Sequence, residues 1–223
     1  MHAAALKTAL IARAAQSATL KKETQEDLAK EIAALALQLE AQNPTAAPTS
    51  RPELFGGRWN LLYSTFNLSR ETNLANLSFA KLPSAPVTVT RIVQEVAPQT
   101  AMPADGETLY DNVVEFIDAA GRPGAMVMQG RYTNHDGHRL DVVFHHVFAV
   151  PSDGRGLQSF RADLGVASDA VLSRAIEKTP PTHSSIIYLD EELRINRGSY
   201  GGVYVLKRLE SAFTPSRRLD RSA

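Results

Sequence analysis

The feature that most constrains this chain is a pair of apolar runs near its C-terminus, Tyr188-Leu-Asp-Glu-Glu-Leu-Arg-Ile-Asn-Arg-Gly198 and Val203-Tyr-Val-Leu-Lys-Arg208, joined by the turn Gly198-Ser-Tyr-Gly201. Alternating runs about a glycine-bearing turn predict a β-hairpin. A lone hairpin leaves two open edges and is at best marginally stable, so further strands must extend it. The upstream sequence supplies them. Residues 58–66 alternate, with Trp59, Leu61 and Tyr63 on one side, and strand patterns follow at 87–96, 109–118, 125–134, 139–150, 185–189, 193–197 and 202–209. Turn chemistry at Pro103-Ala-Asp-Gly106, Ala120-Gly-Arg-Pro-Gly124 and Asn134-His-Asp-Gly137 makes the pairing mostly antiparallel. Eight strands at this density predict a mainly β fold, a closed or nearly closed antiparallel barrel, with a two-sheet sandwich as the rival.

In front of the strands the period is helical. Leu6, Leu10 and Ala14 recur at helical spacing, and Thr24 opens a second helix with a capping-box pattern completed by Asp27. Its stripe is Leu28, Ile32, Leu35 and Leu39, one face that must bury itself on another helix, the sheet or a partner. Asn43 and Pro44 stop this helix, and residues 44–52 form a stiff proline-rich connector. The first 22 residues carry Lys7, Arg13, Lys21 and Lys22 and no acid, a pattern shared by the end of an organelle transit peptide and by an amphipathic arm. Three segments result: residues 1–52 as helical arm and connector, 53–210 as barrel, and 211–223 as a flexible tail. Within the barrel, 168–178 reads as one short helix inserted before the last strands, started by Ser168 and ended before Pro180-Pro181, either a lid or outside packing.

Charge and composition narrow the chemistry. Lys plus Arg equal Asp plus Glu at 24 each, so the field that draws nucleic acid is missing. Cysteine is absent, which removes disulfides, thiolate nucleophiles and thiolate metal sites. No stretch approaches the roughly eighteen consecutive apolar residues of a spanning helix. Nucleophile-elbow, Walker and dinucleotide signatures are absent too. His135, His138, His145 and His146 are close in sequence but lack metal-site spacing, since neighbours on a strand point to opposite faces. No metal and no cofactor is expected.

Gly57-Arg58-Trp59 near the start, paired with Tyr-Leu-Asp-Glu-x-Leu-Arg-Ile-x-Arg-Gly near the end, resembles the plastid lipid-associated protein family, the fibrillins, over roughly residues 7–209. The resemblance implies a lipocalin-like barrel with a helical arm. It also implies that Trp59 lies at the closed end under an arginine of the last strand, Arg208 first and Arg197 second. Gly57, Arg194 and Gly198 are then structural, while Asp190 is associated with ligand at the barrel mouth. The chain departs from the family in 168–178, where a more Pro- and Leu-rich stretch is expected.

Residue patterns complete the candidate site. In residues 139–150, Leu140, Val142, Phe144, His146, Phe148 and Val150 share parity, which makes His146 the one polar group on an apolar face. Met126 and Met128 share a face and suit an irregular apolar guest. Trp59, Tyr63, Phe116, Met126, Met128, Phe144, His146, Phe148 and Tyr188 are placed near the interior, with His146 or Asp190 orienting one polar end of the guest. The acids Asp190, Glu191 and Glu192 sit in a turn, where Arg194 and Arg197 are at hand to pair with them. The expected function is binding or carriage of a hydrophobic small molecule. By resemblance this is an isoprenoid-type lipid, quinone, carotenoid or fatty acid, held in a plastid at thylakoid or lipid-body surfaces; a bacterial cytoplasm is the alternative setting. Two other classes remain. One is an interaction module docking through the helical arm with its barrel filled; the other is a barrel enzyme acting on a bound isoprenoid.

Overall fold

The computed structural model describes residues 2–17, 22–66, 69–97, 108–177, 182–210 and 212–219. In chain order the elements are α1 (Ala3–Ser17), α2 (Lys22–Glu40), α3 (Pro52–Phe55), β1 (Gly57–Ser64), β2 (Glu71–Asn73), α4 (Leu74–Leu77), β3 (Pro86–Ala97), β4 (Leu109–Ile117), β5 (Pro123–Asn134), β6 (Arg139–Pro151), α5 (Leu157–Asp163), β7 (Ser173–Ala175), β8 (Thr182–Leu189), β9 (Leu193–Gly198) and β10 (Val203–Glu210). The protein is mainly antiparallel β. All eight expected strands are present, and β2 and β7, three residues each, add to them. The Pro103–Gly106 turn lies outside the described residues.

Two compact units divide the chain. The first comprises Met1–Leu68, Thr133–Asp141 and Thr182–Ser211. Its strands run in the order β1-β10-β9-β8, with Trp59 opposite Arg208, Leu61 opposite Leu206 and Arg194 opposite Leu206 on its other edge. One face of this sheet is covered by the arm. Leu6, Leu10, Ala14, Leu28, Ile32, Ala36 and Leu39 are buried with Tyr188, Leu193, Ile195, Val203 and Val205. Each large aliphatic side chain so buried contributes about 1.5–3 kcal/mol, so the α2 stripe is committed to this sheet and not offered to a partner. Helix α2 starts at Lys22, two residues before the expected cap at Thr24.

The second unit comprises Ser69–Tyr132, Val142–Pro181 and Ala212–Ala223. Here β3 pairs with β2 and β4, β4 with β5, and β7 with β6. Residues 168–177 are not a helix. Leu172 and Ile176 are buried, and between them β7 pairs His146, Val147 and Phe148 of β6 with Ala175, Arg174 and Ser173. Lys178 lies outside the described residues. The inserted helix is instead α5, whose Phe160 and, just beyond its end, Leu164 are buried.

Four residues of the tail are tied to the second unit. Ser216–Leu219 form a 3-10 turn held by buried acids. Ser216 donates its N–H and hydroxyl to Glu95 (2.7 and 2.6 Å), and Arg217 forks onto Asp111 (2.9 and 2.5 Å) while also reaching the Gly130 carbonyl. Glu95 and Asp111 stand opposite each other on β3 and β4, both fully buried. Like charges placed so repel, and the strap supplies the neutralising donors.

Candidate functional site

Trp59 is fully buried and donates its indole N–H to the Phe55 carbonyl at 3.0 Å. Arg208, its cross-strand partner, lies 4.1 Å from the ring centroid and Arg194 lies 4.8 Å from it. The Arg208 guanidinium also donates to the carbonyls of Gly56 (2.7 Å), Leu54 and Glu191, and Arg194 donates to that of Phe55 (3.0 Å). Burial lowers the Arg208 pKa, against the pull of Asp190 and Glu191. Two cations on one indole, each worth about 0.5–2 kcal/mol, staple β1 to β10 and β9. Gly57 leads into this clamp with φ of 122°, a conformation that L side chains rarely adopt. Arg197 does not reach the indole; it pairs with Glu40 of α2 at 2.9 Å. At Gly198 a Cβ would lie 2.9 Å from the Tyr204 ring, so the closing turn is shaped by that aromatic.

Tyr63 and Tyr188 pack under α1 and α2 in the first unit, whereas Phe116 and the two methionines belong to the second. The Tyr188 hydroxyl donates to Asp190 at 2.8 Å, and burial followed by that carboxylate raises its pKa. Asp190 also accepts from Lys7 (2.8 Å) and from the backbone of Glu192 and Leu193. Burial, the largest influence, pushes the Asp190 pKa up, yet the hydrogen bonds led by Lys7 hold it below the usual value. The acid is an anchor for α1.

In the second unit the structure brings together Phe116, Met126, Met128 and Phe144 in one apolar cluster with Leu74, Leu77, Leu82, Val147, Ala149, Phe160 and Leu164. Phe116 stacks on Phe160 of α5 with centroids 6.4 Å apart, and both rings close over Gly124. Phe148 and Val150 sit in a different cluster, with Val93, Val113, Ala125 and Val127. The shared parity from Leu140 to Val150 is therefore broken within β6. Phe144 groups with Val147 and Ala149, which requires the alternation to invert between 144 and 147. His146 is half-buried at this inversion, 2.9 Å from the Ser173 hydroxyl and with its ring 6.0 Å from Phe148. His135 pairs instead with Asp141 at 3.1 Å.

Helix α5, which covers the apolar cluster, is held by charges that sequence reasoning passed over. Asp118, whose side chain is fully buried, accepts from the N–H groups of Ala120 and Arg122 (2.9 Å each) and from Arg155 (3.2 Å). Arg155 and Arg122 both pair with Asp163 at the end of α5, and Arg155 lies 5.1 Å over the Phe160 ring. The signal was present in principle, since Leu157, Phe160 and Leu164 keep helical spacing just after Asp153-Gly-Arg155 and around Asp163. The first unit has a separate half-open cavity of about 290 Å³ lined by Glu40, Asn43, Ala46, His138, Ser185, Ile186 and Ile187.

Taken together, these features define an antiparallel β protein with an apolar wall under a short helix and a tryptophan–arginine clamp at the joined ends of its sheet. The family PAP_fibrillin matches residues 4–207, and the chain belongs to it. Among its relatives are a chromoplast-specific carotenoid-associated protein of Cucumis sativus, 29% identical over 84% of this chain, and plastid lipid-associated protein 3 of Brassica campestris, 26% identical over 80%. A probable plastid-lipid-associated protein 3 of Arabidopsis thaliana is 28% identical over 80%. The alignments cover 62%, 53% and 51% of these relatives, so the chain spans about half to three-fifths of their length. A lipocalin-like protein from Bacteroides uniformis aligns over 70% of this chain and 99% of its own at 9% identity, with a TM-score of 0.27, too slight a likeness to carry an argument. Among the described residues no helix is long and apolar enough to cross a membrane.

Proposed function

We propose that the protein binds a hydrophobic small molecule of the isoprenoid or fatty-acid kind within the lipocalin-like barrel that its family resemblance implies, and that it works in a plastid. The observation that carries this reading is the gathering of Phe116, Met126, Met128 and Phe144 in one cluster beneath α5. Two thioethers and two aromatic rings adapt to an irregular apolar guest. The cover rests on ion pairs between Asp118, Arg155, Arg122 and Asp163, which can open without unravelling a sheet. Burial of each 100 Å² of guest stabilises the complex by about 2.5 kcal/mol, so a modest wall suffices. The names of the relatives, lipid- and carotenoid-associated, support the ligand class and the plastid setting.

The test is organic extraction of the purified protein followed by mass spectrometry. A hydrophobic molecule near one per chain is expected, falling at least several-fold in Met128→Arg. Extracts without such a molecule, or an unchanged yield from a folded Met128→Arg protein, would remove the reading.

A further inference from the structure

The backbone of the second unit is forced at one exposed point. Phe79 and Ala80, just after α4, have φ of 53° and 60°, the only non-glycine residues with positive φ among those described. A bulky residue in the left-handed region is a true outlier, since glycine or asparagine takes this position at helix ends without the Cβ clash. Such strain persists only where surrounding bonds impose it, and they do here. Ala80 donates its N–H to Ala75 (2.7 Å), Lys81 to Ser78 (3.1 Å), and Leu82 to the buried Ser78 hydroxyl (2.9 Å). Leu74, Leu77, Leu82 and Ala85 hold the turn down in the core, while Phe79 stands 70% exposed. Between Thr72 and Thr90 the only charged residue is Lys81, which is exposed beside it.

We propose that this turn is a pre-set anchor for a lipid–water interface, with the Phe79 ring entering the acyl boundary and Lys81 meeting anionic headgroups. The proposal rests on the lipid-related reading above but concerns a surface and not the interior wall. Three observations favour a lipid surface over a protein partner: one outward aromatic, a stretch of nineteen residues free of acids, and a single cation at the tip. An aromatic ring beside a cation is the pairing that settles at membrane interfaces. Because the backbone is already fixed, insertion costs little ordering.

The experiment is flotation of the full chain with vesicles of phosphatidylcholine containing phosphatidylserine, beside vesicles of phosphatidylcholine alone. Phe79→Gly relieves the left-handed strain, so its Tm is expected at or above that of the unchanged protein while its vesicle partitioning falls about tenfold. This opposition of sign is what a merely structural phenylalanine would not produce. Lys81→Glu should lower partitioning about fivefold on the anionic vesicles only, and the difference should vanish at high salt. Phe79→Trp should keep partitioning and give a tryptophan emission that shifts blue on vesicles. Failure of the unchanged protein to float, or flotation of Phe79→Gly within twofold of it, overturns the proposal. A Phe79→Gly protein that no longer floats yet still yields extracted lipid upholds both readings. One that floats with its lipid retained removes only this one.

Discussion

Replacing Arg217 by Met tests whether the C-terminal strap is part of the folded core. Asp111 has a fully buried side chain, and Arg217, 16% exposed, gives it two of its hydrogen bonds; the third comes from Gly130 N–H at 2.9 Å. Methionine keeps the stem and removes the charge, leaving Asp111 buried next to Glu95. Breaking a buried pair in this way costs about 3–5 kcal/mol, and the partial exposure of Arg217 puts the expectation near the lower figure. With a urea slope of about 3 kcal/mol per molar, the midpoint should fall by about 1 M, measured by circular dichroism. The pH dependence has a definite sign. Burial already raises the Asp111 pKa, against the pull of Arg217, and losing the cation raises it further. A carboxyl whose folded pKa is raised binds its proton more tightly in the folded state, so its penalty is largest above that pKa and fades as pH falls. The deficit of Arg217→Met should therefore shrink on acidification, and Asp111→Asn combined with it should recover most of the loss. A midpoint shift below about 0.3 M, or a deficit that grows in acid, would refute the reasoning.

Two further outcomes follow from packing and charge. Gly124→Ala would place a Cβ 2.6 Å from Phe116 and 3.1 Å from Phe160, and should cost about 1–3 kcal/mol in urea denaturation; an unchanged midpoint would mean that α5 does not press on β5. The Lys7–Asp190 link should make protection of the α1 amides from hydrogen exchange depend on pH at both ends. Asp190 has a depressed pKa, so its contribution holds above about pH 4 and is lost as pH falls through the folded value; Lys7 has a raised one, so its contribution holds below about pH 10 and is lost above. Lys7→Met should abolish both limbs, and a Lys7→Met profile identical to the original would count against the link.

The long strands were legible because alternation and glycine turns are local signals. The three-residue strands β2 and β7 were not, since no period can be read in so short a run. Residues 168–178 misled for a definite reason: Ser168, two alanines and the prolines at 180 and 181 imitate helix punctuation, whereas α5 starts after Gly156 with no side-chain cap to announce it. The inversion in β6 defeats parity counting, which assumes an unbroken pleat. It left Phe144 with the methionines and moved Phe148 to another cluster. Resemblance singled out Arg208 for Trp59, but only the register reveals that Arg194 joins it and that Arg197 is taken by Glu40. The strap was invisible because a polar, basic tail looks solvated until a buried acid 106 residues earlier is set beside it.

The union of α1 with the last hairpin has a bearing on how the chain is made. Lys7 meets Asp190 across 183 positions, and Leu6 and Leu10 rest on strands that leave the ribosome long after α1 does. Until then the opening helix can only lean on α2, its greasy side otherwise bare to the crowded surroundings. Contacts this remote close slowly, so the newly made α1 is a natural client for chaperones, and its docking a late event in the folding of this unit.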